Sequence, residues 1–333
     1  MRISVAMCTY NGANYIEEQL NSICSQSRMP DEIVICDDGS TDTTVQQVTH
    51  LLEKWQGKST VVINETNLGY IRNFEKVIGL CSGDIIFLSD QDDVWRCDKV
   101  KVIVECFEQH PEVVMVFHDA VIVDANLKRL SPSYWDMLHF REEDSLPRIL
   151  TGWNVVQGAS MAFRKKLYEE AYPFPEDVYH DHWLGIVAAL IGTVMPLPYP
   201  LLLYRQHQDN QMGASEKEQH LSSKEAITGF HRKMADQARK NFQELAHLIR
   251  IYRCCRRQIE RPGLLGGRVL SEGLELLESR RQAIRIRSPW HLVRLYVRTF
   301  FSPIRWFYTL RHLRRDLRMV WQYDEDFEHM SER

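Results

Sequence analysis

Neither sign of charge dominates this 333-residue sequence: 41 Lys and Arg stand against 45 Asp and Glu, for a formal net charge of -4. Without a basic excess there is no global electrostatic footprint for nucleic acid. No two of the eight cysteines (Cys8, Cys24, Cys36, Cys81, Cys97, Cys106, Cys254 and Cys255) make a CxxC pair with zinc-site spacing, and most lie in apolar stretches. That pattern predicts reduced thiols in a cytoplasmic protein, with Cys254 and Cys255 packed or exposed on a helix. The opening run, MRISVAMCTYNG, has too short an apolar core for a secretory signal, so no export is expected. From Leu184 to Tyr204 no charge occurs, yet Pro196, Pro198 and Pro200 interrupt the stretch. It reads as a helix ending near Gly192 and short strands around Thr193 and Leu201, which excludes a membrane span. No internal repeat or low-complexity tract is present.

What is there alternates in period. ISVAM, EIVIC, TVVI and DIIFL read as strands, and between them Tyr15 to Ser25, Thr43 to Trp55 and Tyr70 to Cys81 read as helices. Such alternation predicts a parallel sheet covered on both faces. Further on, VVMVF, AVIV and VVQGASMAF read as strands and Asp181 to Gly192 as a helix, which makes the α/β sheet mixed but mainly parallel. After about Gly213 the strand signals stop and Arg-rich helical stretches take over. The expected organisation is an α/β domain over residues 1–214 and a helical, Arg-rich region over 215–333.

The polar motifs follow the strands. CTYNG follows the first, DDGST the second and SDQDD the fourth, so all three lie at the sheet's carboxyl edge, where open α/β sheets bind ligands. A dinucleotide fold needs a glycine-rich turn after its first strand, and CTYNGANY lacks one. Ser40 and Asp42 read as caps of the following helix, whereas Asp38 reads as an acceptor for a nucleotide's ribose or base. In SDQDD, Asp90 and Asp92 are two residues apart. Crowded carboxylates repel unless a cation offsets them, and oxygen ligands suit Mg²⁺ or Mn²⁺, whose remaining sites a diphosphate can fill. His180 and His182 flank Asp181, but residues two apart on a helix diverge, which argues for walls of a site over a zinc pair.

Taken together, VAMCTYNGANYIEEQLNSI, EIVICDDGSTDTT, NLGYIRNFEK, FLSDQDDVW, QGASMAFRK, YHDHWLG and LYRQHQDN resemble, in order and over roughly residues 3 to 213, glycosyltransferase family 2 enzymes of the GT-A fold, especially the bacterial rhamnosyltransferase-like branch. The resemblance implies nucleotide-base contacts at Tyr10 and Asp38, with Thr9 and Asn11 beside them. It implies a donor-binding role for Arg72, which also reads as an exposed helix-face salt bridge. Asp92 matches the last Asp of the family's DxD motif, the direct metal ligand, and Asp90 the first, turned to the ribose or the metal's water shell. Asp181 matches the general base, although a residue at a helix start also reads as an N-terminal cap. His207 matches a further metal ligand, and imidazole favours Mn²⁺ over Mg²⁺.

The implied reaction is metal-dependent transfer of a sugar, with rhamnose from a dTDP donor the leading candidate, by single displacement with inversion. The acceptor would be a glycan or a lipid-linked molecule of bacterial surface polysaccharide synthesis. Alternatives are a catalytically inactive sugar- or nucleotide-binding scaffold, and a nucleotidyltransferase, which would want a basic glycine-rich loop that CTYNGANY does not supply. Near the carboxyl end, Ser288-Pro289 and Ser302-Pro303 read as starts of two basic amphipathic helices. They suit an anionic membrane surface at the inner face of the cell membrane, docking on the catalytic domain, or a homo-oligomer contact.

Overall fold

A computed structural model describes residues 1–138, 140–142, 149, 156–176 and 178–207. The expected helical region over 215–333, with Cys254, Cys255 and the segments at Ser288 and Ser302, lies outside these residues. Strands β1 (Ile3–Thr9), β2 (Glu32–Asp37), β3 (Lys58–Ile63) and β4 (Ile85–Ser89) alternate with helices α1 (Ile16–Cys24), α2 (Thr44–Glu53) and α3 (Gly69–Leu80). The four strands pair in parallel in the order β3-β2-β1-β4. β1, β2 and β4 are buried along nearly their whole length, which is why their sequences are continuous apolar runs. Val5, Met7, Ile33, Ile35 and Phe87 pack there against Ile16, Leu20 and Ile23 of α1.

A buried carboxylate lies at the amino end of this core. Glu32, at the start of β2, accepts from Ser4 Oγ at 2.5 Å, Lys58 Nζ at 2.9 Å and the Ser82 backbone N–H at 2.8 Å. Desolvation pushes its pKa up, but these donors outweigh it and bring it down to about 2. The residue ties β1, β3 and the turn before β4 together at the edge opposite the polar motifs.

The second half turns the sheet antiparallel. β5 (Val94–Trp95) and α4 (Lys99–Gln109) lead to β6 (Val113–Asp124), β7 (Arg129–Ser131) and α5 (Tyr134–Met137). A 3₁₀ turn at Gly158–Ser160 then enters β8 (Met161–Arg164), followed by α6 (Lys165–Ala171), α7 (His180–Ile191) and β9 (Thr193–Gln206). β8 pairs antiparallel with β4 and β6, β9 runs parallel to β6, and β5 closes on β9 antiparallel.

Three expectations change here. VVMVF and AVIV are one strand, β6, because His118 and Asp119 between them are buried and Asp119 is satisfied by Ser133 Oγ at 2.5 Å and the Trp135 N–H at 2.9 Å. The short strands around Thr193 and Leu201 are also one, β9, whose ladder shifts register opposite His118 and Asp119 so that the prolines fit. Among the described residues of VVQGASMAF, Met161–Phe163 is strand and Gly158–Ser160 turns as 3₁₀ helix. Leu184 to Tyr204 divides between α7 and β9, and among the described residues no helix is long and apolar enough to cross a membrane.

Candidate active site

The three motif loops are laced to one another at the carboxyl edge of β1, β2 and β4. Gln91 binds Tyr10 reciprocally: the Tyr10 N–H donates to Gln91 Oε1 at 2.8 Å and Gln91 Nε2 to the Tyr10 carbonyl at 3.0 Å. Asn11, at φ 48°, donates its N–H to Ser40 Oγ at 2.8 Å and accepts from the Thr41 N–H at 2.9 Å. That left-handed turn suits asparagine, whose side chain bonds the facing loop. Thr9 Oγ1 donates to Asp37 at 2.7 Å, which places Thr9 in the frame beneath the loops, while the Tyr10 side chain is exposed. Asp42, not Ser40, supports the start of α2, accepting from the Thr44 N–H at 3.0 Å.

Asp38 is buried. Its Oδ1 accepts from Asn64 Nδ2 and the Leu68 N–H, each at 2.8 Å, and its Oδ2 from the Gly69 N–H at 2.9 Å. These bonds fill three of about four acceptor positions on a carboxylate. Gly69, at φ 75°, makes the turn that aims its amide at Asp38. Arg72, one turn into α3, is ion-paired with Glu75 and with Glu176 at 3.0 Å and donates to the Phe174 carbonyl at 3.1 Å.

Past β4, Gln19 of α1 holds the chain by donating to Ser89 Oγ at 2.7 Å and to the Asp90 carbonyl at 3.1 Å. Asp92 then meets the end of β9, where His207 Nε2 lies 2.9 Å from Asp92 Oδ2. Arg205 fixes that meeting. Its backbone N–H donates to Asp93 Oδ1 at 3.0 Å, its Nε to the Asp92 carbonyl at 2.7 Å, and its Nη2 to Glu18 of α1. The Tyr15 ring packs under both, 4.8 Å from the Arg205 guanidinium and 4.4 Å from the His207 ring.

Negative charge converges here. Asp90 is pushed up to about 7 by desolvation and then by the charges of Asp92 and Asp181, and Asp93 is raised well above the carboxylate range by burial, Asp92 and Asp90. Beneath them lies Lys99, fully buried, its Nζ 2.7 Å from the Ala159 carbonyl and 3.9 Å from the centre of the Trp95 ring. Burial pulls Lys99 down to about 7 against the pull of Asp93 and Asp90. Among the described residues no three His, Cys, Asp or Glu side chains form a closed metal cage. Two adjacent donors, Asp92 and His207, beside crowded carboxylates fit a divalent cation that keeps the rest of its shell for water and phosphate oxygens.

Asp181 sits in the first turn of α7, with Tyr179 at the N-cap. Its Oδ1 accepts from the His182 N–H at 2.6 Å and its Oδ2 lies 3.3 Å from the Gly158 N–H. His180 and His182 are both buried, and His180 stacks on Phe74 at 3.9 Å. The structure thus brings Asp92 and His207 together beside Asp90, with Asp181 within electrostatic reach of Asp90. Thr9, Tyr10, Asn11 and Asp38 form the neighbouring β1–β2 loops, and Arg72 stands in an ion-pair network on α3. Gln91, Lys99 and Arg205 were not singled out from the sequence, although Arg205 lies inside the quoted LYRQHQDN.

The family profile "Glycosyl transferase family 2" matches residues 4–171, just over half of the chain. An uncharacterized glycosyltransferase of Nostoc sp. is 30% identical over 221 residues, 65% of this chain and 68% of its own. The dTDP-rhamnosyl transferase RfbG of Shigella flexneri is 30% identical over 226 residues, 63% of this chain and 74% of its own. Among solved structures, S. aureus TarS 1-349 in complex with UDP-GlcNAc aligns with TM-score 0.60 at 17% identity, covering 99% of this chain and 92% of that one. The mannosyltransferase PcManGT of Pyrobaculum calidifontis, in complex with GDP-Man and Mn²⁺, aligns with TM-score 0.52 at 19% identity, covering 96% and 84%. Likeness at this identity establishes the fold, the GT-A arrangement expected from the motifs.

Proposed function

The chain belongs to glycosyltransferase family 2, and from that premise we propose that it moves a sugar, with inversion, from a nucleotide diphosphate donor to a glycan or lipid-linked acceptor in bacterial surface polysaccharide synthesis. The observation that carries the reading is the meeting of Asp92 and His207 next to Asp90 and Asp181. This constellation answers both needs of glycosyl transfer from a diphosphate. Mn²⁺ or Mg²⁺, held by Asp92 and His207, would supply Lewis-acid stabilisation of the negative charge on the departing diphosphate. Asp181 accepts the proton of the acceptor hydroxyl as that oxygen bonds to the anomeric carbon and the bond to the diphosphate breaks. The Gly158 and His182 amides hold the Asp181 carboxylate in place for that transfer. Asp38, with Tyr10 and Asn11 at the loops beside it and Thr9 in the frame beneath them, receives the nucleotide base, and Asp90 the ribose or the cation's water shell. Arg72 reaches the donor only by exchanging Glu176 for it. Rhamnose from dTDP-rhamnose is the leading donor, in keeping with the Shigella relative. Residues 1–214 form the catalytic domain in this reading, and the Arg-rich remainder serves placement at an anionic membrane surface or self-association.

The test is a panel of nucleotide sugars with and without Mn²⁺, read as released nucleoside diphosphate. Metal-dependent release of nucleoside diphosphate from one donor, with an inverted anomeric product by NMR, is expected. Release of pyrophosphate, or a retained anomer, would overturn the reaction class.

A further inference from the structure

Beside Asp181 the surface carries an aromatic pair that the transfer chemistry leaves without a task. Tyr179 immediately precedes α7, and its ring stacks on that of Tyr70 in α3, with centroids 5.8 Å apart and 25° between planes. Tyr179 is 36% exposed, so its stacked ring also reaches solvent. The pair is buttressed from below. His180 meets Tyr70 edge-on at 6.3 Å and lies flat on Phe74 at 3.9 Å, and neither ring nitrogen of this buried histidine has a hydrogen-bond partner among the described residues. Burial pulls His180 down to about 3, so at neutral pH it is an uncharged packing layer. Burial, followed by the charges of Tyr179 and Asp181, holds the Tyr70 phenol up to about 12, which places Asp181 within electrostatic reach of the pair.

We propose that Tyr179, backed by Tyr70, is the floor of an acceptor subsite that takes a pyranose ring, so that the group receiving the sugar is itself a saccharide. This rests on the transferase reading above and narrows its acceptor. A pyranose has an apolar C–H face and a rim of hydroxyls. The site matches both, with flat aromatic rings next to a carboxylate that can take a hydroxyl proton. An acyl chain fits worse, because it would lie against the Asp181 carboxylate.

Saturation-transfer NMR on the full chain with Mg²⁺ reads the subsite directly. The probes are the methyl glycosides of mannose, rhamnose, glucose and galactose, with glycerol phosphate and octyl phosphate as competitors. At least one glycoside should take up saturation on the hydrogens of one ring face. Tyr179→Ala should weaken that signal about 3- to 10-fold, the loss expected for one aromatic contact, and Tyr179→Phe should keep it. UDP and dTDP affinities should be the same in all three proteins. No glycoside signal in the wild type, an equal signal in Tyr179→Ala, a better signal from either phosphate, or nucleotide affinity lost with Tyr179→Ala would each overturn the proposal. Nucleoside diphosphate release from donors alone is measured in parallel. Its absence beside a normal glycoside signal sinks the transferase reading, and its presence without that signal sinks only the subsite.

Discussion

Arg205 Nε lies 2.7 Å from the carbonyl oxygen of Asp92, a contact between residues 113 positions apart. The same side chain is ion-paired with Glu18, and its backbone N–H holds Asp93. One residue therefore positions the loop bearing Asp92 and the strand end bearing His207. Arg205→Met is expected to lower Mn²⁺ affinity about 10- to 100-fold, as is usual when support for a ligating side chain is lost. Titration of free Mn²⁺ by electron paramagnetic resonance reads this without turnover. Unchanged affinity in a variant that is merely less heat-stable would reduce Arg205 to a packing role.

For Asp92→Ala, donor binding should become weak and indifferent to metal, because its carboxylate is the proposed bridge to the diphosphate. Calorimetry with donor, with and without Mn²⁺, makes the comparison. Mn²⁺-enhanced affinity equal to the wild type's would take Asp92 out of the metal site.

Asp181→Asn keeps the shape of the side chain and its contact with the Gly158 amide but removes the basic carboxylate. Turnover should fall about 10²- to 10⁴-fold, the range of a positioned general base, with donor affinity nearly unchanged. Normal turnover on a native acceptor would send the search for the base elsewhere.

Glu32 gives a pH-dependent term far from the chemistry. Its pKa falls from the ordinary 4.5 to about 2 on folding, so its stabilisation is complete above about pH 4.5 and is lost as pH drops towards 2. Glu32→Gln should destabilise the fold by about 1–3 kcal/mol at pH 7, and the gap to wild type should narrow by pH 3. Urea titrations across that range check it, and a gap constant with pH would contradict the assignment.

The β1-to-β4 half of the fold was legible because each buried strand is a continuous apolar run and each helix carries a 3.6-residue pattern. The later half was less so. Val100, Ile103, Val104 and Phe107 of α4 do carry helical spacing, but Lys99 at its first position is buried, which no local pattern announces. Prolines in β9 and the His118-Asp119 pair in β6 read as breaks, and both are absorbed by register shifts and by partners distant in sequence. Asp90, Asp92, Asp181 and His207 were legible as motif residues. The work of Arg205 was not, since its partners Glu18, Asp92 and Ala125 come from elements that only the folded sheet brings together.

β5 is two residues long, yet it joins Val94 to Leu203 and Trp95 to Leu202. During synthesis Asp92 emerges more than a hundred residues before its partner His207, so the four parallel strands are all made while the proposed cation site still has only one of its donors. In that proposal tight capture of the ion waits for β9 to pair with β6 and β5, so that ion affinity would report the closing of this ladder. A chain halted before β9 should be able to hold its early core and yet be blind to manganese.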